Sequence, residues 1–325
     1  MSRTTTDPID PRPVSATGSR PYRVTVATRT DLSPHFVRLV LRGEDLDIFG
    51  TGGLDQRIKL VFPNPDGSWL DLGLGDPRAL AAGDWYQRWL DAAPESRNPF
   101  RTYTVRRIDP RRRELTVDFA VHGAAGPGSR FAQGARPGDE LIVVGPDGRS
   151  PDSRLGIDFH PGPARHLLLA GDETAAPAVC SILESLADDG PGRWQVHAYL
   201  EVPDAEDFLP IGTTDGIQLT WLARTEVLGG ALIAAVRRFC REHPEVVSAG
   251  SPRSASAPLE DVDVDRELLW EAPERVPGGE FYAWIAGEAA VVRTLRRLLV
   301  GELGVDRARV AFMGYWRAGR AEGLT

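Results

Sequence analysis

Lysine is nearly missing from this chain: of its 38 basic residues only Lys59 is not an arginine. Basic charge is also outnumbered, and the net charge of −8 leaves no overall positive field to draw nucleic acid or an anionic membrane. Cysteine is scarce. Cys180 and Cys240 both fall among apolar residues on expected helices, and no Cys/His group has zinc or iron–sulfur spacing, so a metal framework is excluded. Free buried thiols suit a reducing compartment. Long apolar runs are lacking as well: the first residues carry Asp7, Asp10 and prolines instead of a leader's apolar stretch, and no later segment is apolar enough to span a bilayer. A cytoplasmic protein without membrane insertion is expected, acting as a monomer.

What is present is enough chain for two cores: 325 residues, 42% of them hydrophobic, with 34 glycines and 26 prolines that imply many turns. Residues 1–19 are polar and Pro-rich and are expected to form a loose tail. Six strand-like runs follow within 20–150: YRVTVAT, FVRLVLRG, RIKLVFP, RTYTVRRI, ELTVDFAV and DELIVVG. They predict an antiparallel six-stranded β-barrel, with the aromatic-rich piece inside Gly67–Pro99 forming a helical excursion over one end. Past the Pro/Gly-rich stretch 146–163 the grammar changes to alternating strands and helices over 164–319. That predicts an α/β domain on a parallel sheet, with ligands at the carboxyl ends of its strands. Within it, 243–280 reads as a long loop with one short ordered piece around Leu268–Trp270, either a cover for a cofactor groove or a plain surface insertion.

Three stretches carry chemistry. In LLLAGDETAAP, Leu167–Pro177, a buried strand ends in a tight turn and enters a helix, which turns backbone N–H groups toward whatever lies in front; any α/β domain contains such turns, so the stretch alone assigns no site. In Arg101-Thr102-Tyr103-Thr104, strand alternation puts Arg101 and Tyr103 on one face and Thr104 on the other. A guanidinium fork, a flat ring and a hydroxyl together suit a flavin dinucleotide. In VHGAAGPGSRFA, Val121–Ala132, the glycines admit a close ligand and Ser129 is placed to cap a short helix ending at Gln133, where a pyrophosphate would meet N–H donors; a glycine turn capped for stability is the alternative. His122 reads equally as a ligand contact or a structural histidine. Glu201, at the end of a strand, is either an acceptor for an unphosphorylated ribose or a solvated carboxylate.

Taken in order, RTYTVR, DFAVHGAAGPGSRFA, PGDELIVVGPDG, LLLAGDETAAPA, FYAWIAGEAA and MGYWRAG resemble the siderophore-interacting protein family of FAD-dependent ferric-siderophore reductases, from Arg20 to Gly319. The resemblance implies a flavin-binding barrel joined to a ferredoxin-reductase-like nucleotide domain, with FAD between them. It implies flavin contacts from Arg101, Tyr103 and Thr104. It gives the pyrophosphate to Gly126, Pro127 and Ser129, with His122 adjacent. Asp172, Glu173 and Thr174 would face the meeting point of flavin and nicotinamide, and Gly287 and Glu288 form the second nucleotide-side turn. No side chain is expected to act as nucleophile or base. Lys59, Arg130 and Arg317 match the basic cluster that holds the anionic ferric siderophore. Gly128 stands where alanine is usual in the family, and Phe131 where tryptophan is. Electrons would come from NADH or NADPH, with reduced ferredoxin a further option. A flavin-containing siderophore carrier without reductase activity and a general flavin or ferredoxin-type reductase are the rival readings.

Overall fold

The computed structural model describes residues 10–121, 126–250, 269–273 and 278–319. The first half contains β1 (Ser19–Ser33), β2 (Phe36–Arg42), β3 (Arg57–Val61), α1 (Pro77–Ala82), α2 (Trp85–Asp91), β4 (Phe100–Thr104), β5 (Arg107–Asp109), β6 (Glu114–Ala120), α3 (Pro127–Gly134) and β7 (Glu140–Pro146). The strands form one antiparallel sheet in the order β4-β3-β7-β1-β2-β6-β5. It has seven strands where six were expected, because RTYTVRRI is two strands. At Val105 the backbone N–H still bonds to Gln56 O (2.9 Å), but at Arg106 it bonds to Thr116 O (3.0 Å), so the chain crosses from β3 to β6 within one residue. The two edge strands are therefore consecutive, and the sheet curls into a half-barrel rather than closing as a six-stranded barrel.

Alternation explains the curl's two faces. Tyr22, Val24 and Val26 of β1 point inward with Leu39, Leu41, Val117 and Phe119. Val61, Phe100, Ile142 and Val144 form a smaller apolar cluster with Trp89 of α2. The excursion thus covers a face of the sheet, not an end. Asp76 caps α1 through Arg78 N (2.8 Å), and Gly83 ends it in the left-handed region at φ 68°. Part of the expected tail is held: Arg12 pairs with Asp45 and Asp47, and Arg149 donates to Arg12 O at 2.8 Å. Residues 1–9 lie outside the described residues.

The second half contains β8 (His166–Asp172), α4 (Ala176–Asp188), β9 (Gln195–Val202), β10 (Ile217–Ala223), α5 (Gly230–Glu242), α6 (Pro244–Ser248), β11 (Trp270–Glu271), β12 (Phe281–Glu288), α7 (Ala289–Arg296) and β13 (Val310–Trp316). The sheet order is β10-β9-β8-β12-β13-β11. Five strands are parallel, but β11 runs antiparallel to β13, so the sheet is mixed where a parallel one was expected. The extra strand comes from the 243–280 stretch, which also supplies α6; residues 251–268 and 274–277 lie outside the described residues. The central strands are apolar on both faces because helices cover both. Leu167 and Leu169 pack on the α4 side, while Leu168 and Ala170 pack against α5 and α7.

The two halves touch through built contacts. Phe36 of the half-barrel is fully buried in the α4-side core of the second domain. Asp207 accepts from Ser33 Oγ (2.6 Å) and His35 N (3.0 Å). Asp55 accepts from Trp284 Nε1 (3.0 Å) and Phe159 N (3.1 Å), and burial raises its carboxyl above the usual range.

Candidate functional site

Strand order reverses direction between β8 and β12, and in open α/β sheets that switch point opens a crevice at the carboxyl ends. Asp172, the last residue of β8, organises this edge. Its Oδ1 accepts from Thr174 N (2.9 Å) and Thr174 Oγ1 (2.5 Å), and its Oδ2 accepts from Glu288 N and Trp316 Nε1, both at 2.7 Å. One carboxylate thus joins the ends of β8, β12 and β13. Gly287 makes the approach feasible: its φ is 144°, and a Cβ there would sit 2.6 Å from Asp172 Oδ2. Glu288 then caps α7, accepting from Ala290 N (2.7 Å) and Val291 N (3.0 Å), while its other oxygen accepts from Ala318 N (3.2 Å), next to Arg317.

Glu173 is buried and paired with Arg224, which follows β10. Burial first, and then the adjacent Asp172 carboxylate, push its pKa up to about 7 against the pull of Arg224. Arg224 Nε also reaches Glu201 Oε1 at 3.3 Å. Glu201 is 1% exposed and caps the start of α5, accepting from Gly229 N (2.8 Å) and Leu232 N (3.0 Å). Neither sequence reading of Glu201 holds: it is not solvated, and both oxygens are committed to the protein. Its cap partners lie 28 and 31 residues away, beyond the reach of local patterning.

On the half-barrel, β4 separates its residues by face. The register sets Tyr103 opposite Ile58 and Arg101 opposite Leu60, while Thr102 lies opposite Lys59. Tyr103 packs on Phe119, ring centroids 4.4 Å apart. Lys59 Nζ sits 2.6 Å from Thr102 Oγ1 and 5.4 Å from the Phe100 ring centre, and Thr104 is buried. Helix α3 begins at Pro127 after Gly126, with no side-chain cap. Ser129 lies inside that helix, one turn beyond its expected place as cap. A Cβ on Gly128 would stand 2.0 Å from the Tyr103 hydroxyl, so this glycine lets the start of α3 meet the aromatic ring of β4. Arg130 lines a groove of about 390 Å³ with Trp69, Phe131, Asp139 and Glu140. Lys59 lies on β3, Arg130 on α3 and Arg317 directly after β13, so the three come from both domains. His122 lies outside the described residues.

A family profile described as the siderophore-interacting FAD-binding domain matches residues 25–150, and one described as siderophore-interacting protein matches 164–319. This chain belongs to the siderophore-interacting protein family. It is 30% identical over 298 residues to the NADPH-dependent ferric-chelate reductase of Escherichia coli, covering 91% of this chain and 92% of that protein. Against the ferric vibriobactin reductase ViuB of Vibrio cholerae it is 28% identical over 295 residues, covering 90% and 87%. The siderophore utilization protein of T. fusca superposes with a TM-score of 0.64 at 29% identity, over 94% of this chain and 95% of that one. A ferredoxin reductase of carbazole 1,9a-dioxygenase, 15% identical with a TM-score of 0.53 over 93% and 71%, shares the fold.

FAD fits the residues that this family's barrel would offer it. Among the described residues no side chain caps the start of α3 and a Cβ at Gly126 would meet nothing within 4 Å, which leaves backbone donors there for a pyrophosphate. Tyr103 and Arg101 share the face of β4 that α3 approaches.

Proposed function

We propose that this protein reduces ferric siderophores in the cytoplasm as a soluble monomer, taking electrons from NAD(P)H through FAD and releasing ferrous iron. The observations that carry the reading are the meeting of the start of α3 with Tyr103 on the half-barrel and the switch point in the strand order of the second domain. Among the described residues no helix is long and apolar enough to cross a membrane. FAD, when bound, supplies passage between a two-electron hydride donor and a one-electron ferric acceptor. Arg101 and the backbone N–H groups of Gly126 and Ser129 would hold its phosphates, with Pro127 fixing the turn between them, Tyr103 and Thr104 at its ring and His122 beside it. Thr174, held by Asp172, and the Gly287–Glu288 turn would shape the nicotinamide side. Glu173 is buried behind that surface and supports it. Lys59, Arg130 and Arg317 would hold the anionic chelate against an acidic chain. Reduction weakens the bonds of iron to hard oxygen ligands, so ferrous iron leaves and the chelator is released intact.

Anaerobic mixing of the purified yellow protein with NADPH or NADH, a ferric siderophore and a ferrous trap tests the reading. Trapped ferrous iron at a rate that depends on the siderophore supports it. No trapped iron marks a carrier, and equal rates with every ferric acceptor mark a general flavin reductase.

A further inference from the structure

The point where the half-barrel's edges meet is also where the second domain is pinned to it. Arg106 lies two residues beyond Thr104, at the step from β4 to β5. Its Nη1 and Nη2 donate to the two oxygens of Glu184, each at 2.6 Å. Its Nε lies 3.5 Å from Asp118 of β6, which is itself held by Arg38 through two bonds of 2.7 Å. One turn earlier on α4, Ser181 Oγ donates to Arg106 O at 3.0 Å. Ser181 and Glu184 share one helix face, so side chain and backbone of the same arginine are gripped together. The nearby Cys180 thiol is pushed up to about 12 by burial and adds no charge to the cluster.

This pin differs from the Asp207 and Asp55 contacts between the domains in what it connects. Asp207 holds the turn between β1 and β2, and Asp55 holds the linker and the middle of β12. Arg106 instead continues the strand assigned to the flavin. Glu184 belongs to the helix that starts directly after Asp172-Glu173-Thr174, about 12 Å from its first residue along the axis. Both partners are rigid: the backbone of Val105 and Arg106 is bonded to Gln56 and Thr116, and α4 is buried along most of its length. A fork-to-fork pair fixes direction as well as distance.

We propose that the Arg106–Glu184 pair is a positioning device that sets the spacing between the flavin strand and the donor-side turn. Neither residue touches the reacting atoms. The proposal rests on the reading of this crevice as the meeting place of flavin and nicotinamide. Hydride transfer is steep in donor–acceptor distance, and displacements of about 1 Å cost up to a hundredfold.

The test uses the FAD-loaded protein and Glu184→Ala, Glu184→Gln and Glu184→Asp. Stopped-flow absorbance follows the two half-reactions separately: reduction of the flavin with oxidation of NADPH or NADH, and reoxidation of dithionite-reduced flavin by ferric siderophore. Glu184→Ala is expected to slow the donor half-reaction by between about tenfold and a hundredfold, with FAD retained and the acceptor half-reaction unchanged. Glu184→Gln, which keeps the length and one acceptor, should recover part of the rate. Glu184→Asp, which keeps the charge but is one methylene short, should not. Recovery by Asp but not by Gln would make the pair a matter of charge and overturn the proposal, as would equal losses in both half-reactions. Amide hydrogen exchange gives a second readout: Glu184→Ala should exchange faster over 100–109 and 172–178 together, with the β1–β2 turn unchanged. If neither nicotinamide reduces the wild-type flavin, the donor reading fails, and wild-type exchange over 100–109 in Glu184→Ala then sinks the pin independently.

Discussion

The sheet edge of the second domain and the α3 side of the half-barrel are built on opposite principles. On the sheet side, carboxylates face inward onto the protein's own donors: Asp172 holds Thr174, Glu288 and Trp316, Glu201 caps α5, and Glu288 caps α7. On the half-barrel side, α3 starts at a glycine with no side-chain cap among the described residues, and a groove opens beside Arg130. A wall whose polar groups are already satisfied is rigid but offers few donors, which suits a partner that must arrive and leave. An uncapped helix start offers donors to a group that stays. The contrast is what the proposed division needs, with a resident cofactor on the half-barrel and a transient donor at the sheet edge.

The sharpest way to break that contrast is to remove its central carboxylate. Asp172→Ala leaves the buried Glu288 N–H and the Trp316 indole without their acceptor, and each such loss costs about 1–3 kcal/mol. Urea unfolding should show a destabilisation of about 3 kcal/mol or more, with the half-barrel still able to take up FAD. An unchanged midpoint would mean that water replaces the carboxylate and that the wall is not self-satisfied. Glu201→Ala comes next. Losing the α5 cap should cost about 1–2 kcal/mol and leave the ratio of NADH to NADPH turnover as it was. A changed ratio would return Glu201 to the ribose. On the other wall, Gly128→Ala puts a methyl where the Tyr103 hydroxyl now lies. The ring can turn, so the fold should hold, but FAD affinity read by fluorescence titration should fall by about tenfold, or about 1.4 kcal/mol. Adding Tyr103→Phe, which removes the clashing oxygen, should restore part of it. Equal affinities for Gly128→Ala and wild type would separate Tyr103 from the cofactor site.

These same residues show what the chain's pattern conveys and what it hides. Strands such as FVRLVLRG and helices such as α4 were legible because burial repeats at fixed spacing, and the ordered motifs located the family. The split of RTYTVRRI was not, since it depends on Gln56 and Thr116, residues that bond the backbone from elsewhere in the sheet. Asp172 was legible as the end of a strand that turns into a helix, but its partners at 288 and 316 are supplied only by parallel strand pairing. Ser129 was misplaced by three residues because glycine can begin a helix as serine does. Arg106 carries a signal of its own: a charged residue directly after a buried strand end needs a partner, and Glu184 on the following domain's first helix provides it.

The finest test of the sheet wall is its response to pH. Glu173 titrates near 7 in the folded protein and near 4.5 when exposed, so the native state holds its proton more tightly. Its contribution to stability is complete below about pH 4.5, shrinks as pH rises, and is gone above about pH 7. Glu173→Gln is neutral throughout and removes that slope. Urea midpoints taken from pH 4.5 to 8 should therefore show the variant gaining on the wild type as pH rises, with most of the gain completed by about pH 7. Parallel curves would mean that Arg224 fully offsets burial and the Asp172 charge, leaving Glu173 ionised across this range like a carboxylate in water, and the sheet wall would then carry one more fixed negative charge than its self-satisfied character requires.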